Sequence, residues 1–327
     1  MTKRVTAMRT TPELVGRSME MAVQRKIVRR AVDGVLLLDK PKGLTSNAAL
    51  QTARRLLNAA KAGHTGTLDP MATGLLPLTF GEATKFSQML LDADKTYLAT
   101  VVLGVETDTG DADGKVVRTH PVDVSEARLL QALAGFRGEI RQIPPMYSAL
   151  KRDGKPLYEY ARAGVELERE ARVVHIHRLE LKSFSAAEFT IEVDCSKGTY
   201  IRSLAMDIGV VLGCGAHLSA LRRSRIGAFS VEDAVTLHCL EQGDAPEMRD
   251  LHLQAADKLV QHFPAMFLTA EQAAAVLQGR PLALAGEVGT CCRLYGPSDF
   301  LGLAEWKVDG KLWPKRLIAT ATSTQST

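Results

Sequence analysis

The stretch Gly63-His64-Thr65-Gly66-Thr67-Leu68-Asp69-Pro70-Met71-Ala72-Thr73-Gly74 has neither helical period nor strand alternation. Its glycines and its proline mark irregular backbone. Apolar residues follow at once: Leu75, Leu76, Pro77, Leu78 and Phe80. The fold therefore has to hold an irregular loop against core segments. A loop pinned in that way can aim one acidic side chain, here Asp69. Pro70 biases Asp69 away from the right-handed helical region, so no helix begins there. Taken alone, an Asp-Pro pair also reads as a turn with a solvated carboxylate.

Other strings flank chemistry-bearing positions. Gly34-Val-Leu-Leu-Leu-Asp39 reads as a buried strand, followed by Lys40-Pro41-Lys42-Gly43-Leu44-Thr45-Ser46. Thr45 or Ser46 can cap a helix with Leu50, Ala53 and Leu57 on one face. Lys95 to Gly104 reads as a strand with Tyr97 near its start. Phe189, Ile191 and Val193 alternate with Thr190, Glu192 and Asp194, a half-buried strand. The string Ser196-Lys-Gly-Thr-Tyr-Ile-Arg202 then leads into a helix with Ile201, Leu204, Ala205, Ile208 and Leu212 on one face. Arg202 sits at that strand-to-helix junction, where it can point inward.

Gly-His-Thr-Gly-Thr-Leu-Asp-Pro-x-Ala-Thr-Gly resembles the signature of the TruB-type tRNA pseudouridine synthases. Lys40-Pro41-x-Gly43-x-x-Ser46 and Ser196 to Arg202 resemble two further motifs of that family, extended by Gly213 to Leu218 and Leu221 to Arg223. The resemblance spans about residues 34–317. It implies an α/β fold of the α+β type, with a mixed, largely antiparallel sheet flanked by helices. The expected organisation is a basic tail over 1–33, disordered or loosely helical, and a catalytic domain over 34–262. A thumb-like RNA-clasping insertion occupies about 143–172, where prolines, tyrosines and basic residues mix. A small PUA-like RNA-binding β-barrel follows over 263–318, and a polar tail over 319–327. Thr269-x-x-Gln272 reads as a capping box within the small module.

By the resemblance, the chain isomerises uridine 55 in the T arm of elongator tRNAs. Asp69 is the nucleophile, or the base at the sugar. Tyr97 stacks on the flipped base and can take part in proton removal. Arg202 forms a salt bridge with Asp69, and an opposite charge within ~4–6 Å lowers an aspartate pKa by about 1–3 units, so an ionised Asp69 is expected. The substrate-binding candidates are His64, Lys40, Tyr200, Leu221 and Lys85. Lys151, Lys155, Arg162 and Arg222 are the phosphate-contact candidates. A monomer without an obligate protein partner is expected, and no metal or organic cofactor is implied.

Two other classes stay open: an RNA N-glycosylase that releases the base, and a non-catalytic tRNA-binding or folding protein. Composition limits the rest. Net charge is +4, which permits nucleic-acid binding through local patches without demanding it. Five cysteines without a CxxC pair predict free thiols in a reducing cytoplasm. No apolar run is long enough to span a bilayer, and the arginine-rich N-terminus lacks the apolar core of a secretory signal. The acidic string Thr107 to Gly114 lacks the distal glutamate of a calcium loop and reads as a solvated hairpin connection. His175 and His177 share a strand face and read as surface histidines.

Overall fold

The computed structural model describes residues 28–319 of the 327-residue chain. Strand Gly34–Lys40 is apolar without alternation because both of its faces are covered. Leu36 and Leu38 pack with Leu76, Leu78 and the helices of one face. Val35 and Leu37 pack with Leu75, Phe86 and Leu259 on the other. Each leucine so buried contributes about 1.5–3 kcal/mol over leaving it exposed.

The main sheet runs, by pairing, through Val235–Thr236, Gly34–Lys40, Thr73–Phe80, Ala216–Ile226, Lys95–Leu103, Glu188–Cys195, Arg172–Phe184 and Gly138–Gln142. Neighbours are antiparallel except Val235–Thr236 with Gly34–Lys40, and Thr73–Phe80 with Ala216–Ile226. This is the mixed, largely antiparallel sheet that the resemblance implies. Phe189, Ile191 and Val193 are buried, as their alternation requires. Helix Ser46–Leu56 is capped by Thr45, whose side chain accepts from the Ala48 N–H at 3.1 Å. Helix Ile201–Leu212 buries the predicted face and ends at Gly213 in the left-handed region.

The sheet register places the site. Tyr97 stands opposite Arg223, and Arg223 stands opposite Gly74. The loop's last residue is thereby locked into the same row of the sheet as Tyr97. Only glycine fits there: Gly74 has φ +100°, and an added Cβ would lie 2.3 Å from the Arg223 carbonyl oxygen.

Within the expected insertion region lie a small hairpin, Lys151–Arg152 with Lys155–Pro156, and helix Leu157–Arg162. Strands Ala265–Phe267, Cys291–Tyr295, Phe300–Trp306 and Leu312–Leu317 make a separate four-stranded sheet. Helix Ala270–Leu277 packs on it and opens with the predicted capping box, Gln272 N–H to Thr269 Oγ1 at 3.2 Å and Thr269 N–H to Gln272 Oε1 at 3.0 Å. Val276, Leu294 and Trp306 form its own core.

The expected basic tail lies outside the described residues as far as residue 27, and the polar tail from residue 320. Residues 28–33 depart from the expectation of a loose tail. Val32 is buried, and the Arg30 guanidinium donates to Asp250 at 2.8 Å, because this segment closes over the end of helix Ser46–Leu56. His175 and His177 are exposed, as expected, and their ring centroids lie 4.8 Å apart with the planes tilted by 41°. No helix among the described residues is long and apolar enough to cross a membrane.

Candidate functional site

The loop that carries Asp69 is fastened from several sides. Ser46 Oγ donates to the Leu68 carbonyl at 3.0 Å and accepts from the Leu68 N–H at 2.8 Å. One hydroxyl thus satisfies both backbone groups of the residue before Asp69. The Gly43 N–H donates to the Pro70 carbonyl at 2.7 Å. The Ala72 N–H closes a turn on the Asp69 carbonyl at 3.1 Å. Leu68 and Met71 are buried in the main core. The backbone on both sides of Asp69 is therefore fixed, and its side chain is half-buried and aimed into open space.

That space is two cavities that share Asp69 and Arg202. The inner one, about 370 Å³, has Tyr97, Lys95, Tyr200, Leu221 and Arg223 in its wall. The outer one, about 570 Å³, runs past His64, Asn47, Asp111, Tyr158 and Arg162. Both lie in the size range of small-ligand sites. Asp69 stands where they meet.

Arg202 is buried and organises this junction. Its Nε lies 3.0 Å from Asp69 Oδ2 and 3.5 Å from Asp111 Oδ2. Its remaining nitrogens donate to the Thr109 carbonyl at 3.0 Å and the Tyr147 carbonyl at 2.6 Å. The predicted pairing with Asp69 is present. The expected direction of the Asp69 pKa is not. Burial lifts the carboxyl above the ordinary aspartate range; Arg202 and Lys40 draw it down, and Asp111 pushes it up. Burial and the second carboxylate, Asp111, outweigh the cation that the sequence places beside Asp69.

Asp111 is the residue that sequence reasoning placed wrongly. The Thr107 to Gly114 string does form a turn, but Asp111 is buried and faces Arg202. Thr109 Oγ1 donates to its Oδ1 at 2.6 Å. Arg223 was quoted only as an extension of a motif. It is 1 % exposed, and its guanidinium donates to the Leu75 carbonyl at 2.8 Å and the Gly66 carbonyl at 3.3 Å. Its alternation with Arg222 along the strand was the available signal, since one of two successive arginines must face inward.

Tyr97, Tyr200 and Leu221 line the inner cavity, and burial raises the pKa of both phenols. His64 lines the outer cavity. Its Nδ1 is buried without a partner, and burial, then Arg223, lowers its pKa, so the ring is neutral near pH 7. Arg162 also reaches the outer cavity and lies over the Tyr158 ring at 5.3 Å. Lys151 and Lys155 are exposed on the neighbouring hairpin, with Lys155 4.9 Å from the Tyr160 ring centre.

Like Lys151 and Lys155, three further candidates are in neither cavity wall. Lys40 is fully buried, and its ammonium donates to the carbonyls of Pro41 at 2.9 Å, Leu44 at 2.7 Å and Pro70 at 3.5 Å. It braces the loop and cannot meet a phosphate; burial lowers its pKa to about 8. Lys85 binds Glu82 at 2.6 Å and the Leu317 carbonyl at 2.9 Å, which places it at the seam with the C-terminal sheet. Arg222 is held by Asp39 through two bonds of 3.0 and 2.7 Å.

Among the described residues, no cluster of three or more His, Cys, Asp or Glu side chains could hold a metal ion.

The chain matches family models over nearly its whole described length. Residues 54–201 match the TruB family pseudouridylate synthase N-terminal domain. Residues 202–261 match the tRNA pseudouridylate synthase B C-terminal domain, and 264–318 the pseudouridine synthase II TruB C-terminal model. It is 66% identical over 300 residues to tRNA pseudouridine synthase B of Azoarcus sp. (strain BH72), covering 92% of this chain and 99% of that one. It is 62% identical to the protein of that name from Aromatoleum aromaticum, over 94% of this chain and 99% of the relative. Among solved structures it resembles a chain of a Cbf5-Nop10-Gar1 complex, with TM-score 0.66, 29% identity and coverage of 89% and 84%. A chain of an H/ACA RNP bound to a substrate RNA containing 2'-deoxyuridine is similar at TM-score 0.66 and 28% identity, with coverage of 88% and 85%. The chain belongs to the TruB family of pseudouridine synthases and is an isomerase that converts uridine to pseudouridine.

Proposed function

We propose that the substrate is uridine 55 in the T arm of elongator tRNAs, and that Asp69 acts on its sugar. The observation that carries this reading is the position of Asp69 at the meeting point of the two cavities. A base stacked in an RNA arm is out of reach of any side chain, so it must be flipped out. The inner cavity offers the flipped uracil the Tyr97 ring, Tyr200 and Leu221. The outer cavity offers the ribose and its neighbours His64 and Arg162. The C1′ atom then falls beside Asp69.

The isomerisation breaks the N1–C1′ bond, with the electron pair going to the base. The base turns, and C5 bonds to C1′. The C5 proton is lost and N1 gains one, so the formula is unchanged. Asp69 serves either by attacking C1′ or by removing the C2′ proton to give a glycal. Arg202 holds and orients the carboxylate, and Asp111 holds Arg202 from behind. The small C-terminal sheet is read as a PUA-like RNA-binding module. A tRNA substrate and free thiols fit an enzyme of the cytoplasm; the chain is proposed to work as a monomer. Its position specificity is tested by mapping pseudouridine in an unmodified elongator tRNA. Product at 55, absent when cytidine replaces that uridine, is expected. Product elsewhere, or a released base, contradicts the reading.

Tyr97→Phe keeps the ring and loses the hydroxyl. Stacking is worth about 1–3 kcal/mol per base, so binding should hold. If the hydroxyl takes part in removing the C5 proton, single-turnover rate should fall by about 10²–10⁴-fold. Single-turnover kinetics on a T-arm stem-loop check this, and a fully active Phe variant would limit Tyr97 to stacking.

Lys151, Lys155 and Arg162 are proposed phosphate contacts. Each one lost should flatten the log–log salt dependence of binding by roughly 0.7–0.9 units, equally for all RNA sequences. Arg222, already paired with Asp39, should change it less. Titrations at several salt concentrations decide, and an unaltered slope in the Lys151→Ala, Lys155→Ala double variant puts the RNA path elsewhere.

A further inference from the structure

One polar atom in the cavity wall is left without a bond inside the protein. Ser148 is 6 % exposed, and among the described residues its Oγ has no hydrogen-bond partner. A hydroxyl shut away from water without a partner is costly, and a ligand that supplies the partner removes that cost. Ser148 lies in the wall of both cavities, as Asp69 and Arg202 do. It therefore stands at their junction, where Asp69 meets the sugar on the proposed reading.

The guanidinium that holds Asp69 also fixes the backbone of Ser148. Arg202 Nε lies 3.0 Å from Asp69 Oδ2, and another nitrogen of Arg202 donates at 2.6 Å to the Tyr147 carbonyl. That carbonyl belongs to the peptide group joining Tyr147 to Ser148. Two more bonds tie this segment to the start of helix Ile201–Leu212. Ser203 Oγ donates to the Ile143 carbonyl at 3.1 Å, and the Tyr200 N–H donates to Gln142 Oε1 at 3.1 Å. The Ser148 N–H donates to the Met146 carbonyl at 2.9 Å, and the Ser148 carbonyl accepts from the Tyr158 N–H at 3.1 Å. Only the hydroxyl is left over. The Tyr200 phenol feels that hydroxyl, which draws its pKa down against burial, yet no hydrogen bond joins them. Rotation about a single side-chain bond is all a serine needs to turn its hydroxyl to a ligand in the cavity.

We propose that Ser148 is a substrate contact that reads the ribose: its hydroxyl bonds the 2′-hydroxyl of the flipped uridine. The inference rests on the reading that Asp69 acts at the sugar of a flipped uridine. Inside an RNA chain the 3′ and 5′ oxygens of a nucleotide are esterified, so the 2′-hydroxyl is the only one its ribose keeps. C2′, which carries it, is bonded to C1′, the atom beside Asp69. A serine hydroxyl both donates and accepts, as the 2′-hydroxyl does, so the pair can bond in either sense. The base is the poorer partner. Uracil turns between the breaking of N1–C1′ and the joining of C5, and a bond from a fixed hydroxyl to a base atom would have to break on the way. The ribose stays in the RNA chain throughout. Because the 2′-hydroxyl distinguishes RNA from DNA, this contact makes the enzyme selective for a ribonucleotide at the target position.

The test is a cycle between Ser148→Ala and a 2′-deoxy substitution at the single target uridine of a T-arm stem-loop. Both enzymes carry Asp69→Asn, so affinity is read without turnover. The 2′-deoxy stem-loop should bind the enzyme that keeps Ser148 roughly 10-fold more weakly than the all-ribose one, the scale of a buried group left unpaired. With Ser148→Ala added, the same substitution should cost less than about 2-fold, because one contact cannot be lost twice. Effects of the deoxy sugar on pucker and flipping are common to both enzymes and cancel. Equal weakening in both, or none in either, overturns the proposal. Melting curves give a second readout. An unpartnered hydroxyl adds no bond to the free protein, so Ser148→Ala should melt no lower than its parent. A melting point several degrees lower, or failure to fold, shows the hydroxyl to be satisfied within the protein and also overturns the proposal. A wild-type enzyme that makes no pseudouridine in this stem-loop, or an Asp69→Asn enzyme that does, defeats the underlying reading of Asp69 instead, a separate result.

Discussion

Replacing Asp69 with asparagine should abolish turnover and leave RNA binding within a few-fold of wild type. The exchange is isosteric, so the Ser46 bonds and the Pro70 turn persist. The Asn oxygen can still accept from Arg202. On the proposed reading, what disappears is the charge and the nucleophilic or basic oxygen beside C1′. No second carboxylate can step in: Asp111, the nearest, is buried behind Arg202 and held by Thr109. Loss of a group that reacts at the bond being broken costs on the order of 10⁴-fold or more. Binding rests mainly on phosphate contacts that the change does not touch. Rate and affinity measured on the same stem-loop, with deamidation excluded by mass, check the split. Equal loss of both would make Asp69 a structural residue.

Arg202→Met is expected to cost about 10³-fold in rate, the scale of a lost preorganised charge contact. Arg202 does three things at once. It draws the Asp69 carboxyl down against burial, it separates Asp69 from Asp111, and it ties Thr109 and Tyr147 to helix Ile201–Leu212. Without it the Asp69 pKa, already raised, rises further. A carboxyl with a raised pKa is lost as pH falls through that value, so the acid limb of the pH–rate profile should move to higher pH. Residual activity should increase with pH. Asp111 is left buried without its cation, so stability should fall by about 3–5 kcal/mol. Arg202→Lys should recover part of the rate, since it restores charge but not the planar fork. The pH profile and thermal melting of both variants check this. An unmoved acid limb would mean that Arg202 does not govern Asp69.

Much of this architecture was readable from local patterns. The Phe189, Ile191, Val193 alternation, the inward face of helix Ile201–Leu212 and the Thr269/Gln272 box all follow from backbone geometry that acts over a few residues. The Asp69 loop was readable because glycine, proline and a following apolar run can mean little else. What escaped depends on tertiary contacts. The Thr107 to Gly114 string has the composition of a solvated turn, and only the distant Arg202 makes Asp111 an interior residue. Lys40 and Lys85 look like surface cations. One is buried because backbone carbonyls surround its ammonium, and the other faces a sheet formed far along the chain. The direction of the Asp69 pKa could not be read from a list of neighbours, because it turns on how much water the cavity wall excludes.

The central claim is that Asp69 drives isomerisation of a flipped uridine in the T arm. Tritium release from a T-arm stem-loop labelled at C5 of its uridines tests it most directly, with wild type and Asp69→Asn side by side. Wild type should release one tritium per RNA and leave the RNA chain mass unchanged apart from the label, while the variant binds the RNA and releases none. Release by the variant at the wild-type rate, or a wild-type product lacking its base, would contradict the account.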